Sequence, residues 1–188
     1  MYQICVSGAA KGDSVEEGKE LAAKLGVAIA EAGHALMTGA TIGLPNYAAE
    51  AYKQAGGKMS VGISPASSKV EHVMKYRLPV EAYDVIIYSG LHYAGRDALL
   101  ITSSDAVVSI GGRLGTLHEF TIALETDTPI GFLQGAGGIS EEIQNLMALA
   151  HPLRSGAFVT FNESSTELVK ELTNHLDKEH AKYKNLYQ

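Results

Sequence analysis

The apolar run Ala106-Val107-Val108-Ser109-Ile110 stops at Gly111-Gly112, and an apolar-periodic helix begins about four residues later. Glycines at such a turn let the backbone approach a ligand with no Cβ in the way. The opening helix offers unpaired N–H groups and the positive end of its dipole. The stretch Gly111-Gly112-Arg113-Leu114-Gly115-Thr116 is therefore a candidate phosphate cradle, with the Thr116 hydroxyl as a further donor and Arg113 as a local cation. Glu119 lies three positions after Thr116 on the same helix face. A carboxylate repels a phosphate, so in a shared site Glu119 meets another part of the ligand, such as sugar hydroxyls or an attacking water. Thr116-x-x-Glu119 is equally the spacing of a capping box, and the residues alone leave both readings open.

The elements that must position these residues follow from the hydrophobic pattern. Residues 2–8 read as a strand and lead through a small-residue turn, Gly8 to Gly12, into a helix. Ser14 and Glu17 have capping-box spacing at its start, and Gly33 stops it. A strand at 34–37 runs into a second glycine loop, Thr38 to Gly43, and a helix with Pro45 in its first turn. A strand at 59–63 precedes an irregular excursion, 64–83, with room for one short helix. Then come a strand at 85–88, a helix through Arg96 to Ile101, the strand at 106–110 and its helix to about Asp127. A strand at 129–133, a turn at 135–138, a helix at 140–149, a strand at 157–161 and a helix at 165–180 complete the pattern. Ser164 and Glu167 are placed to cap the last helix.

Seven strands alternating with helices predict an α/β, doubly wound, mostly parallel sheet with helices on both faces. Ligands of such sheets sit at the carboxyl ends of the strands, near the switch in strand order. The turns after the first, second, fourth and fifth strands should then line one crevice, which adds Gly8, Gly39 and Gly43 to the candidate phosphate- or nucleotide-binding residues. Tyr88, His92 and Tyr93 precede Arg96, placed either to stack on a base or to pack in the core. The chain reads as one domain over residues 1–188, with a tail frayed from about 181.

Composition narrows the partners. A net charge of -6 with only four arginines argues against a nucleic-acid footprint, so an anionic ligand must be small. A single cysteine, Cys5, within the first strand fits a reducing, cytoplasmic setting. No basic, apolar leader and no stretch approaching eighteen apolar residues point to a membrane. No second histidine or cysteine has metal-partner spacing to His118, which reads as a surface residue or a supporting donor; neither metal nor cofactor is expected.

The stretch Gly111-Gly112-Arg113-Leu114-Gly115-Thr116-Leu117-His118-Glu119, with Arg96 on the preceding helix, resembles the Lonely Guy (LOG) family, long labelled "possible lysine decarboxylase". Gly39-x-x-x-Gly43-Leu44 and Ala55-Gly56-Gly57 are also similar, and the likeness covers residues 2–135. The resemblance implies a Rossmann-like homodimer that hydrolyses the N-glycosidic bond of a nucleoside 5'-monophosphate to free base and ribose 5-phosphate. The Gly111 to Thr116 turn would hold the phosphate, Glu119 would act on the ribose and the nucleophilic water, and Arg96 would orient both; Asp97 is the one acid in view for the leaving group. The decarboxylase label finds no support, because Lys11 is the only lysine in the candidate loops and that chemistry needs a lysine Schiff base. Ile110 stands where the signature has proline, the glycine spacing is one residue longer, Asp97 follows Arg96 where the hydrolases often carry a basic residue, and Leu44-Pro45-Asn46 replaces leucine-methionine-glycine. These departures resemble a sister group, the molybdenum-cofactor carrier proteins, which implies a noncatalytic carrier or sensor as the alternative.

Overall fold

Alternation along the central strands sets the two faces of the sheet. In the computed structural model, which describes residues 1–149, 156–183 and 186, the strands are β1 (Gln3–Gly8), β2 (Ala35–Thr38), β3 (Ser60–Ser64), β4 (Val85–Tyr88), β5 (Ala106–Ile110), β6 (Ile130–Leu133) and β7 (Val159–Asn162). They form one seven-stranded sheet in the order β4-β3-β2-β1-β5-β6-β7, and every pairing is parallel. Ile4 and Val6 of β1 pack with Ala106, Val108 and Ile110 of β5 on one face. Cys5 and Val107 pack on the other. Period-two alternation with both faces buried is what a doubly wound sheet requires.

Three helices, α1 (Asp13–Glu31), α2 (Leu44–Gln54) and α7 (Ser165–Ala181), fill the first face. On the second lie α4 (His92–Thr102), α5 (Leu114–Glu125) and α6 (Ile143–Leu149). The strand order reverses between β1 and β5, and α4 crosses back from the edge strand β4 to β5, over that switch. The expected α/β doubly wound architecture is the observed one, and the excursion at 64–83 carries one short helix, α3 (Lys69–Met74), capped by Ser68.

Local expectations fail in two places. Ser14 does not cap α1: the helix starts at Asp13 behind Gly12, which has a φ of 96°, and no side chain caps it. The helix expected at 140–149 is broken into a 3-10 turn at Gly138–Glu141 and α6, because the Ser140 hydroxyl turns back to donate to the Gly111 carbonyl at 2.6 Å. Ser164 caps α7 as expected. That helix continues through Ala181, and of the tail expected to fray, residues 184, 185, 187 and 188 lie outside the described residues. No described helix is long and apolar enough to cross a membrane.

The α1–α2 contact depends on Gly26, where an added Cβ would come within 2.0 Å of the Ala48 carbonyl oxygen and 3.0 Å of the Tyr52 nitrogen. Both obstacles are backbone, so relief requires the helices to separate. Gly26→Ala is expected to lower stability by about 1–3 kcal/mol despite its better helix propensity, measured by denaturant unfolding; an unchanged midpoint would refute this packing account.

Candidate functional site

At the carboxyl ends of β1, β2 and β5 the chain leaves an open cavity of about 240 Å³. Its lining comes from the turn after β1 (Val6 to Ala10), the loop into α2 (Gly39, Thr41, Pro45), α4 (Tyr93, Arg96, Asp97), and Arg113 with the start of α5 (Gly115, Thr116, Glu119). These segments lie at or just after the carboxyl ends of the first, second, fourth and fifth strands. The loops are stitched together by backbone bonds: the Ala9 N–H donates to the Ile110 carbonyl at 3.2 Å, and the Leu44 N–H donates to the Ala9 carbonyl at 2.9 Å.

The glycines divide into two groups. Gly8, Gly39 and Gly115 line the cavity, whereas Gly111, Gly112 and Gly43 do not and instead shape the turns behind it. Gly111 and Gly112 have φ values of 60° and 94°, a region that strains other residues. Their carbonyls accept from the Ser140 hydroxyl and the Ile139 N–H. A Cβ on Gly112 would lie 2.0 Å from the Thr116 hydroxyl oxygen, so this glycine makes room for a side chain that lines the cavity. Gly43, at a φ of 80°, lets the α2 start lie against the Ala9-Ala10 backbone.

Helix capping follows the same division. The helices α3 and α7 are capped by Ser68 and Ser164. No side chain caps α1, α2, α4 or α5, the helices that start from the cavity's rim. Thr116-x-x-Glu119 does not form a capping box, since Arg113 occupies the N-cap position and Thr116 lies inside the helix. The first-turn N–H groups of α5 and the positive end of its dipole are left to face the cavity.

Behind the turn, three side chains form a buried charged cluster. Arg96, Asp97 and Glu119 are each at least nine-tenths buried. The Arg96 guanidinium lies 3.5 Å from an Asp97 oxygen and 3.9 Å from a Glu119 oxygen, long contacts for ion pairs, and its Nε has no hydrogen-bond partner. It occupies the space above Gly39, where a Cβ would sit 1.6 Å from Nη1. The Ser7 hydroxyl donates to the second oxygen of Glu119. Exposed His118 donates from Nδ1 to Asp97 at 3.1 Å, so both oxygens of Asp97 are engaged. Burial, and then the Asp97 charge, push the Glu119 carboxyl up to about 7, against the opposing pull of Arg96 and Ser7. The same burial and the Glu119 charge hold the Cys5 thiol well above its ordinary range. Among the described residues no group of three or more His, Cys, Asp and Glu could hold a metal.

Ser7 escaped the sequence reading, although a lone hydroxyl at the inward end of an apolar strand, just before a glycine, was the available signal. The partnership of Asp97 with His118 left no signal, because it joins α4 to α5. Of the three aromatics placed before Arg96, only Tyr93 reaches the cavity.

The model of the SLOG cluster4 family matches residues 1–169, and the chain belongs to that family. An uncharacterised protein of Archaeoglobus fulgidus is 34% identical over 134 residues, 71% of this chain and 81% of its own. Among solved structures, TM1055 superposes with a TM-score of 0.79 over 93% of this chain and 99% of its own, at 23% identity, which shows the shared fold. The molybdenum cofactor carrier protein of Chlamydomonas reinhardtii gives 0.72 at 28% identity, over 92% and 98% of the two chains. The molybdenum cofactor binding protein of Rippkaea orientalis gives 0.68 at 28% identity, over 93% and 96%.

Two outcomes test this geometry. A Cβ at Gly39 meets the Arg96 guanidinium, 1.6 Å from Nη1, so Gly39→Ala is expected to push this buried cation away from Asp97 and Glu119 and to lower stability by about 1–3 kcal/mol in denaturant unfolding; an unchanged midpoint would count against the packed guanidinium. For Glu119, the folded protein holds a proton between pH 4.5 and about 7 that the unfolded chain releases. Its contribution to stability is therefore full below about pH 4.5 and lost as pH rises through about 7, by at most on the order of 3 kcal/mol. Thermal melts of wild type and Glu119→Gln should diverge across that window, with the variant the less pH-sensitive; parallel profiles would count against the buried, raised carboxyl.

Proposed function

We propose that this SLOG cluster4 protein binds a small phosphorylated ligand, of the nucleotide or molybdenum-cofactor kind, between β1 and β5, and holds it as a carrier or sensor. The observation that bears most weight is the juxtaposition of an uncapped α5 N-terminus with a buried guanidinium short of acceptors. The helix end has no side-chain cap and the guanidinium has two carboxylates only at long range and an Nε with no acceptor, so one bound phosphate facing the turn would answer the helix dipole while a neighbouring oxygen of the same ligand met Arg96. Arg113, exposed at the rim, adds charge at the point of entry. The two relatives named for the molybdenum cofactor, each covered over more than nine-tenths of their length, favour carriage as the role.

A second reading rests on Glu119. A carboxyl held near neutrality inside the cavity is suited to acid–base work, and LOG-type phosphoribohydrolysis would use it on the ribose and the nucleophilic water with Arg96 as orienting cation. In either reading the setting is a reducing cytoplasm, and the assembly is a homodimer that covers apolar side chains left exposed on β4 and α4, Val85, Ile87 and Leu99.

The deciding experiment incubates the pure protein with a panel of nucleoside 5'-monophosphates, measuring both binding and free base by chromatography, beside Glu119→Gln. Carriage predicts saturable binding with no base released, retained in the variant. Base release abolished by Glu119→Gln, with the fold intact, would replace carriage by hydrolysis. Failure to bind any member of the panel, ribose 5-phosphate or the molybdenum cofactor would remove the crevice reading altogether.

A further inference from the structure

We propose that the Tyr93 ring is a stacking wall for a planar heterocycle joined to the phosphate, and that the 64–83 excursion sets specificity by holding this ring in place through Tyr76. The proposal rests on the crevice reading above and adds a second recognition point to it. Tyr93 lines the cavity on the α4 side and is 48% exposed, a large aromatic surface facing the site. Its ring centroid is 5.9 Å from the Arg96 guanidinium carbon, so ring and cation border the cavity together. Aromatic rings and arginine planes are the two surfaces on which heterocyclic bases stack, tolerant of which base is present.

What fixes the ring comes from outside the cavity. Tyr76, just beyond α3, meets Tyr93 edge to face, with centroids 5.6 Å apart at 78°. Its hydroxyl is bonded to Nδ1 of His92 at 2.8 Å. His92 has a φ of 56°, a conformation unfavourable for a side-chain-bearing residue and one that persists where surroundings impose it. The excursion is itself anchored at His72, fully buried, whose Nε2 donates to the Pro79 carbonyl at 3.0 Å while Nδ1 accepts from the Ser64 hydroxyl at 2.8 Å. Tyr88 closes edge to face on the His72 ring at 5.7 Å. Tyr88 and His92 are thus spent on holding the excursion and the α4 start, which leaves Tyr93 as the aromatic presented to a ligand.

This arrangement selects ligands with a flat ring and a phosphate, the chemistry shared by nucleoside monophosphates and phosphorylated pterins, over sugar phosphates that satisfy only the helix end. Isothermal titration of the full chain with AMP, a pterin monophosphate and ribose 5-phosphate tests it in wild type, Tyr93→Ala and Tyr93→Phe. Tyr93→Ala is expected to weaken the preferred ring-bearing ligand about tenfold or more, with ribose 5-phosphate unchanged and Tyr93→Phe close to wild type. The ring-bearing ligand that wild type holds more tightly identifies purine or pterin as the class. Equal weakening of all three ligands, or none, overturns the stacking wall. So does a wild type that binds ribose 5-phosphate as tightly as both ring-bearing ligands, although the phosphate site would survive. Binding of none of the three would remove the crevice reading, and this proposal with it.

Discussion

A buried arginine without enough acceptors is the constraint on which this site depends. Removing a guanidinium from water is costly unless charge and hydrogen bonds replace the solvent. Here the replacement is partial: two carboxylates at long range and an Nε with nothing to donate to. Gly39 has no side chain because the cation fills that space. Ser7 and His118 each engage one carboxylate, which leaves Glu119 and Asp97 fixed on either side of the guanidinium. Burial raises the Glu119 carboxyl, and the charge of Asp97 beside the same cation adds to that rise.

The sheet topology turns this local conflict into a site. All seven strands run parallel, so every helix that follows a strand starts from the same edge, and the reversal between β1 and β5 opens a gap there. The crossover helix α4 spans that gap and carries Tyr93, Arg96 and Asp97 to it, while α5 brings Thr116 and Glu119 from the other side. Neither helix builds the site alone. The stability of the cluster is therefore a property of α4 and α5 docking on the face that includes Cys5, Val107 and Phe120.

Much of this was legible in the residues, and the remainder was not for identifiable reasons. Strand alternation, glycine stops and the spacing of Gly111 to Glu119 carried the sheet, the crevice and its four contributing turns. Capping spacing misled at Ser14 and could not decide at Thr116/Glu119, because a capping box is a local pattern that a glycine at the N-cap or a buried tertiary partner overrides. The Gly111-Gly112 pair, read as part of the phosphate cradle, shapes the turn and makes room for Thr116, while Gly115 and Gly39 line the cavity. Backbone glycines look alike in a sequence whether they approach a ligand or a neighbouring side chain. Asp97–His118 and Arg96–Gly39 join residues of different elements, and their pairing exists only once α4 has crossed the sheet.

The contrast between capped and uncapped helices has a consequence for the protein's lifetime. The helices α3 and α7 begin at serine caps, and those that open on the crevice do not. A ligand phosphate would complete the α5 helix as a removable cap, so the empty protein is the form with the weaker helix end and the loaded protein the more persistent one. Under the proposed binding, occupancy would be converted into resistance to unfolding and proteolysis, and the abundance of the protein would be coupled to the supply of its ligand.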